Sequence, residues 1–290
     1  LALLSRSACH LWEDRDIRGV RMNRIPEKRR PDHPGSGSPS ETGDGRTPEG
    51  VVILRSQLFS HYPGLLFGVS TRNGGVSPEP FGMNTSFNVG DDPALVQLNR
   101  ERFLGKLNVP GGRLAIPSQI HGSTIRLVTE PGRYDACDGL ITRKRQLFLA
   151  ISVADCLPIF LFDPVRETVG VVHAGWKGTK LGILSGALEL LAGQSTRPED
   201  LVVHIGPGAG VCCYEVGEEV ACEFESPYVD RTGGRKPRLD LKAMNRAVLI
   251  AAGVPEQHIE ISGICTICNP DLLHSYRREG IRSGRMMGII

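Results

Sequence analysis

Three short apolar runs of this chain each lead into a residue that binds metals, and this pattern constrains the fold more than any other feature. The runs and the residues that follow them are Leu114–Ile116 with His121, Leu147–Val153 with Cys156, and Val169–Val172 with His173. Apolar runs of this kind predict buried strands. Because side chains at the ends of strands can meet at one point of a fold, we predict that the two imidazoles and the thiol converge.

Such a group of side chains predicts a metal site. Imidazole and thiolate are ligands that zinc prefers, and three protein ligands leave a fourth position open for water or substrate. We therefore predict a catalytic Zn²⁺ site held by His121, Cys156 and His173, which are also our catalytic candidates. A single Cys or His after a strand is more often a packed core residue than a metal ligand. The polar neighbours Gln119 and Asp155, however, are unusual in an apolar core.

Several motifs from Val51 to Ile290 occur in an order that carries a family resemblance. They are Ser70–Ser77 (STRNGGVS), Gln119–Gly122 (QIHG), Ala154–Pro158 (ADCLP), His173–Gly178 (HAGWKG), Ile205–Pro207 (IGP), Cys213–Gly217 (CYEVG), Cys265–Thr266, Ser275–Arg278 (SYRR) and Gly284–Met286 (GRM). In this order they resemble the YfiH family, also described as laccase-domain or multicopper polyphenol oxidase-like proteins.

The resemblance implies both a function and a fold. The implied function is a zinc-dependent purine nucleoside phosphorylase that cleaves adenosine, inosine or methylthioadenosine with phosphate and also deaminates adenosine. Purine nucleosides and inorganic phosphate are then its partners, and Zn²⁺ is favoured over copper as its cofactor. The implied fold is a four-layer α/β/β/α arrangement, in which helices flank two packed sheets.

The residues themselves predict an α/β domain. Three helices are indicated: one capped by Asp92 with Pro93 at its first position, one over Thr179–Ala192, and one capped by Asp240 that ends at Gly253. Many strands and few helices, unevenly interleaved, favour mixed β-sheets over a regular doubly wound sheet. The predicted strands are Val51–Leu54, Leu65–Ser70, Leu114–Ile116, Thr124–Val128, Leu147–Val153, Ile159–Phe162, Val169–Val172, Leu201–Ile205 and Ile259–Ile264.

Composition divides the chain near residue 50. Pro, Gly, Ser and charged residues dominate Arg29–Gly50, and apolar periodicity is absent there. We therefore expect a disordered or leader-like tail over residues 1–50 and a single catalytic domain over residues 51–290.

Charge and hydropathy argue against some classes of function. The chain has 34 basic and 32 acidic residues and a net charge of +2, which gives no general attraction for nucleic acids or membranes. No apolar run approaches the roughly 20 residues that a membrane-spanning helix needs. No secretory signal is visible, and the eight cysteines are interpreted as thiols or ligands. We expect a cytoplasmic protein that is a monomer or a small homo-oligomer.

Four further residues are candidates for substrate binding or proton transfer. Arg72 lies in a Gly-rich turn after a predicted strand, where a guanidinium and backbone amides can bind phosphate. A surface arginine in a turn is an equal alternative, and the family resemblance favours phosphate or substrate. The amides of Asn88 and Gln119 are candidates to contact ribose or purine. Asp155 is a candidate general acid or base, or a partner that orients a ligand imidazole, although a simple turn cap is equally consistent.

The remaining cysteines give a weaker signal. Cys265 and Cys268 have the CxxC spacing of zinc sites and redox pairs, but the chain has no second CxxC. We therefore favour no metal or redox role for them. Cys212 and Cys213 are interpreted as packed or exposed thiols.

Three alternatives to a zinc phosphorylase remain open. One Cys with two His also fits the blue-copper centre of a copper-dependent polyphenol oxidase, although no Met between Met83 and Met244 offers an axial ligand. A metal-free hydrolase would use Cys156 as nucleophile and His173 as base. A binding module would retain a purine without converting it.

Overall fold

The computed structural model describes residues 50–232 and 236–290. The tail predicted over residues 1–50 therefore lies, apart from Gly50, outside the described residues. Within the described part, the chain forms six α-helices and fourteen β-strands. No helix in this part is long and apolar enough to span a bilayer.

The helices and strands have the following bounds. The strands are β1 (Ile53–Leu54), β2 (Gly68–Ser70), β3 (Leu114–Pro117), β4 (Ile125–Leu127), β5 (Gly132–Tyr134), β6 (Gly139–Thr142), β7 (Phe148–Val153), β8 (Leu157–Asp163), β9 (Thr168–Ala174), β10 (Val202–Ile205), β11 (Val229–Asp230), β12 (Arg238–Leu239), β13 (Ile259–Ile261) and β14 (Met286–Ile289). The helices are α1 (Pro93–Lys106), α2 (Trp176–Lys180), α3 (Ile183–Gly193), α4 (Glu218–Ala221), α5 (Leu241–Ala251) and α6 (Tyr276–Glu279).

Two mixed six-stranded sheets form the framework of the described chain. Sheet A has the strand order β1-β2-β14-β7-β3-β5, and sheet B has the order β13-β10-β8-β9-β6-β4. In sheet A, β3 runs parallel to β5 and β7, whereas the other pairs are antiparallel. In sheet B, the outer pairs β4–β6 and β10–β13 are parallel and the central pairs are antiparallel. The predicted α/β fold with mixed sheets is confirmed.

Alternation along β8 shows how the layers stack. Successive side chains of a strand point to opposite faces of its sheet. Phe160 and Phe162 pack with residues of sheet A in one core cluster, whereas Ile159 and Leu161 pack with residues of α3 and α5 in another. The two sheets thus face each other, and α3 and α5 cover the outer face of sheet B.

The outer face of sheet A is covered by α1. Phe103 and Leu104 of this helix pack against Ala150 of β7 and Met287 and Ile289 of β14. The helix begins as the sequence predicts, because the Asp92 carboxylate accepts a hydrogen bond from the Ala94 N–H at 2.8 Å and so satisfies an otherwise unpaired donor. Together with the cores between the sheets and beneath α3 and α5, this packing gives the order α/β/β/α.

The predicted helix over Thr179–Ala192 is wrong in its extent. The structure has two helices in this region, α2 and α3, separated at Leu181 and Gly182. Gly182 has φ = 74°, a left-handed conformation that interrupts a right-handed helix. The break separates the short helix that follows His173 from the longer helix that packs on sheet B.

Five strands are absent from the sequence predictions: β5, β6, β11, β12 and β14. All are short, between two and four residues, and short runs give little periodic signal. Of these, β14 has the largest effect on the fold, because it lies between β2 and β7 inside sheet A.

Candidate metal centre and catalytic cleft

The structure brings His121, Cys156 and His173 together. One ligand atom from each residue lies within 4.8 Å of the others. His121 lies in the turn after β3 with φ = 61°, Cys156 directly precedes β8, and His173 is the penultimate residue of β9. The two imidazole rings are 4.8 Å apart between centroids and inclined at 75°.

Pairing between β8 and β9 explains the proximity of two of these residues. Leu157 of β8 lies opposite Ala174 of β9, and Pro158 lies opposite His173. Cys156, one residue before Leu157, is therefore beside the end of β9. Because both strands lie in the centre of sheet B and are almost entirely buried, the thiol and the His173 imidazole are held by the core.

A buried carboxylate, Asp138, organises the site. It directly precedes β6 and accepts hydrogen bonds from the backbone N–H groups of Ile120 (3.1 Å), His121 (2.9 Å) and Gly122 (2.7 Å). A further contact joins its Oδ1 to Nδ1 of His173 at 2.8 Å. Burial raises the pKa of this carboxyl, but hydrogen bonds from His173 and Gly122 lower it, and the net pKa lies below its ordinary value.

The Asp138 contact sets the role of each His173 nitrogen. With the carboxylate accepting the Nδ1 proton, Nε2 carries the lone pair that a metal requires. No role for Asp138 is predicted from the sequence. An Asp-Gly pair before a strand is also a common turn signal, so the local sequence does not distinguish this residue.

Cys156 and His173 shift each other's protonation. Burial raises the pKa of the Cys156 thiol, but the charge of His173 and hydrogen bonds from both imidazoles lower it to about 6. Burial lowers the pKa of His173, but the Cys156 thiolate and the Asp138 carboxylate raise it to about 9. The site therefore favours a thiolate, which is the form of cysteine that binds metals and attacks electrophiles.

The residue after β9 must be small. A Cβ placed on Gly175 would lie 2.8 Å from Sγ of Cys156 and 3.7 Å from Cδ2 of His121. The absence of a side chain at Gly175 thus allows the backbone to pass beside two of the three ligand candidates.

These observations fit a zinc ion. The donor set is two imidazoles and a thiolate, their ligand atoms are close together, and a carboxylate holds the second nitrogen of one imidazole, as is common for zinc ligands. All three residues also line a cleft, so a fourth position would face substrate.

The cleft has a volume of about 1160 Å³, which is ample for a nucleoside together with a small anion. Asp155 is the one acidic residue among the described residues that line it. Its aromatic and cationic lining residues are Phe87, Arg100, Arg133, Trp176, Tyr214, Tyr276, Arg277 and Arg285. A cleft with four arginines and one carboxylate favours an anionic ligand, and its aromatic rings offer surfaces on which a flat base can stack.

Comparison with known proteins assigns the family. The sequence profile of the family described as multi-copper polyphenol oxidoreductase laccase matches residues 66–290. The chain belongs to this family. The resemblance to YfiH proteins seen in the sequence is thus confirmed by the profile and by the solved structures described below.

Relatives of this YfiH-family chain carry the name purine nucleoside phosphorylase. Purine nucleoside phosphorylase YlmD of Geobacillus stearothermophilus is 38% identical over 248 residues, which cover 79% of this chain and 90% of that protein. The protein of the same name in Bacillus subtilis is 34% identical over 263 residues, which cover 84% and 95%.

Two crystal structures share the fold. YlmD from Geobacillus stearothermophilus matches with a TM-score of 0.77 at 35% identity and covers 86% of this chain and 97% of that one. The YfiH protein of Bacillus licheniformis matches with a TM-score of 0.73, also at 35% identity, and covers 77% and 91%. The family fold therefore extends over most of the described residues.

Asp155 lies in the cleft but contacts neither imidazole in this YfiH-family structure. Its Oδ1 accepts a hydrogen bond from Oγ1 of Thr266 at 2.6 Å, and its Oδ2 accepts one from the backbone N–H of Arg277 at 2.7 Å. The carboxylate that orients an imidazole is Asp138. The predicted alternative in which Asp155 orients a ligand histidine is therefore corrected.

Arg72 lies away from the cleft. Its Nη1 donates to Glu279 and to the carbonyl of Pro270, and its Nη2 donates to Glu79 and to the carbonyl of Pro80. Two carboxylates thus balance its charge, and Arg72 is not among the described residues that line the cleft. These contacts do not support the predicted phosphate-binding role.

Gln119 and Asn88 both line the cleft. The Gln119 amide is paired with the backbone of Ser152 on β7, donating to its carbonyl at 2.8 Å and accepting from its N–H at 3.0 Å. Gln119 thereby ties the turn that carries His121 to sheet A. Asn88 is exposed at the rim, where it remains a candidate for substrate contact.

Replacing Asp138 should weaken metal binding. We expect Asp138→Asn to lower zinc affinity by about 10–100-fold, because partners that orient a ligand histidine contribute on that scale. Competition with a chromophoric chelator measures this change. Asp135→Asn is the control, since Asp135 is exposed and bonds to Ser118. Equal affinities for the two variants would show that Asp138 supports the fold alone.

A methyl group at position 175 should disturb the site. We expect Gly175→Ala to lower zinc affinity by about tenfold or more, because the added carbon would displace the Cys156 sulfur. The matched control is Gly186→Ala within α3, where a Cβ would meet nothing within 4 Å. This control should keep wild-type zinc affinity and gain about 0.5–1 kcal/mol of stability. Both are measured by chelator competition and thermal unfolding, and wild-type affinity in Gly175→Ala would contradict the steric argument.

Proposed function

We propose that this protein is a zinc-dependent purine nucleoside phosphorylase that also deaminates adenosine and accepts methylthioadenosine. The observation that carries the proposal is the His121, Cys156 and His173 group, which opens onto a cationic cleft. The names of relatives at 34–38% identity support the same activity. We further propose that residues 51–290 form one cytoplasmic catalytic domain that acts without nucleic acid or membrane partners.

The three ligand candidates would hold the zinc ion. When bound, zinc would supply Lewis-acid chemistry toward an oxygen of substrate or water. The chain's own contribution is to present one nitrogen of each imidazole and the Cys156 sulfur at one point. Asp138 contributes by keeping the His173 proton on Nδ1, which leaves Nε2 directed to the metal.

Asp155 is the proposed proton acceptor. It is the one carboxylate among the described cleft residues, and Thr266 and Arg277 fix both of its oxygens. A carboxylate oxygen that accepts one hydrogen bond keeps a further lone pair. Asp155 is therefore able to take a proton from the attacking water during deamination.

Arg100 and Arg133 are the proposed phosphate-binding residues in place of Arg72. Burial and, to a smaller extent, the positive charge of Arg133 together lower the pKa of Arg100 to about 10. Two guanidinium groups close enough to repel each other line the same cleft. A phosphate dianion bound between them would relieve this repulsion and accept hydrogen bonds from both forks.

Aromatic side chains complete the proposed nucleoside site. Tyr276 is 48% exposed although it lines the cleft, and the Arg285 guanidinium lies 5.5 Å from its ring centroid. An exposed tyrosine ring beside a cation offers a surface on which a purine can stack. Asn88, at the rim, is placed to contact the ribose or the base.

A metal-free cysteine hydrolase is the second candidate. The lowered pKa of Cys156 beside the raised pKa of His173 favours a thiolate–imidazolium pair, which a cysteine nucleophile requires. Copper has less support, because no methionine is among the described residues that line the cleft.

A product analysis tests the proposed function. Purified protein with adenosine and phosphate should release adenine and ribose 1-phosphate, whereas without phosphate it should yield inosine and ammonia. Increasing phosphate should raise adenine and suppress inosine if both reactions use one site. Chromatography of both products over a phosphate titration measures the partition.

Cys156→Ala, prepared identically, is the control for contaminating host enzymes and should lose both products together with one zinc equivalent. Adenine release that does not depend on the phosphate concentration would indicate a hydrolase. A fully active wild-type chain without zinc, inactivated by thiol alkylation, would support the metal-free alternative. Nucleoside binding with no product would indicate a binding module.

The phosphate assignment has its own test. We expect Arg100→Met to raise the KM for phosphate by about 10–100-fold, since a hydrogen bond to a charged group contributes about 1.5–3 kcal/mol. The KM for the nucleoside should stay within about twofold. Arg102→Met is the matched control, because Arg102 lies on the same helix but is exposed and outside the cleft lining. If both KM values rise together in Arg100→Met, Arg100 has a structural role instead. It would then support the loop whose Thr85 carbonyl accepts its hydrogen bond.

A further inference from the structure

Four cysteines outside the catalytic centre converge on one point. Cys212, Cys213, Cys265 and Cys268 have sulfur atoms that all lie within 4.8 Å of one another. No disulfide joins them in the described structure. From the sequence, no metal role is favoured for Cys265 and Cys268, and Cys212 and Cys213 are predicted to be packed or exposed thiols. The fold instead brings the adjacent pair against the CxxC pair.

Backbone pairing between two loops produces this convergence. Gly208 and Cys265 form a parallel bridge, and the Thr266 N–H donates to the Gly208 carbonyl at 3.1 Å. The Gly210 N–H donates to Sγ of Cys265 at 3.2 Å. The bridge between Gly208 and Cys265 thus aligns the loop after β10 with the loop after β13, and each loop presents two sulfurs.

The spacing of the sulfurs fits a single tetrahedral ion. Zn–S bonds of about 2.3 Å place four tetrahedral thiolates about 3.8 Å apart. The Cys268 sulfur lies 3.0 Å from that of Cys213 and 3.3 Å from that of Cys212, and no pair of ligand atoms in the group exceeds 4.8 Å. Thiolates around a multi-iron cluster would lie farther apart than these sulfurs.

The surroundings suit a group of thiolates. The Cys265 sulfur accepts hydrogen bonds from the backbone N–H groups of Gly210, Ile267 and Cys268. The Lys242 ammonium, which donates to the carbonyls of Ser262 and Ile264, lies close enough to Cys212 and Cys265 to interact with their charges. Hydrogen-bond donors and a cation stabilise the negative charge that four thiolates carry.

We propose that Cys212, Cys213, Cys265 and Cys268 hold a Zn²⁺ ion in a closed structural site. Four thiolates fill the coordination sphere, so this ion has no open position for substrate. The proposal is independent of the reaction assigned to the His121, Cys156 and His173 group, because it shares no ligand with that group.

The proposed ion would fix one wall of the cleft. Tyr214, which lines the cleft, follows Cys213 directly. Thr266, between the CxxC cysteines, donates its hydroxyl hydrogen to Asp155 at 2.6 Å. A zinc ion that joins the two loops would therefore hold both residues in place.

Elemental analysis counts the two sites separately. Wild-type protein should contain two zinc ions per chain, and the double variant Cys212→Ser/Cys268→Ser should retain one. His121→Ala/His173→Ala should also retain one, and the combined variant none. Cys222→Ser is the control, because Cys222 is exposed and belongs to neither group, and it should keep two. One zinc in wild type that the cluster substitutions leave unchanged would overturn the proposal.

Two measurements on protein with all four cysteines intact avoid the risk that a cluster variant fails to fold. After cobalt replacement, the thiolate-to-metal charge-transfer absorption should fall by only about one-fifth in His121→Ala/His173→Ala, since one of five cobalt–sulfur bonds belongs to the catalytic group. Mass spectrometry of unreduced protein should show all four thiols reduced. A mass lower by two hydrogens, with peptides linked through these cysteines, would show that they form a disulfide and not a zinc site. That result would overturn the proposal.

Discussion

The buried carboxylate of Asp138 is the interaction on which the candidate metal centre depends. An ionised carboxylate removed from water needs hydrogen-bond donors to offset its desolvation. The chain supplies three from the backbone of residues 120–122 and one from Nδ1 of His173. The same charge therefore stabilises the turn that carries His121 and orients the His173 imidazole. One set of hydrogen bonds therefore determines both the local fold of the turn and the positions of these two ligand candidates. A change to one of them affects the other.

Strand register supplies the third ligand candidate. Pairing of Leu157 with Ala174 places Cys156 beside Gly175, where only a residue without a side chain fits next to the sulfur. Sheet B is held in this register because both of its faces are buried, one against sheet A and one against α3 and α5. A slip of one residue would exchange the apolar residues of β8 between the two cores. The thiol is thus positioned by packing far from the cleft.

The sequence predicts those parts of the molecule that leave a local trace. The three ligand candidates follow apolar runs, and the caps Asp92 and Asp240 begin α1 and α5 as expected. Features built by distant contacts leave no such trace. Strand β14 forms because it pairs with both β2 and β7. The role of Asp138 depends on hydrogen-bond donors from two other segments of the chain. The cysteine group is split between two loops. Arg72 lies in a Gly-rich turn that is consistent with phosphate binding, but its guanidinium donates to Glu79 and Glu279, which lie outside that turn.

Asp155 connects the two proposed metal sites. It has φ = 86°, a conformation that strains a residue with a side chain. Its carbonyl accepts from the Ala209 N–H at 2.8 Å and its carboxylate from Thr266, so both cysteine-bearing loops hold it. His121, Cys156 and His173 lie on or beside strands of the two six-stranded sheets, whereas Tyr214 and Thr266 lie on loops outside these sheets, joined by the bridge between Gly208 and Cys265. The four cysteines lie on these same two loops, so a zinc ion held by them would cross-link the segments that position Asp155, Tyr214 and Thr266.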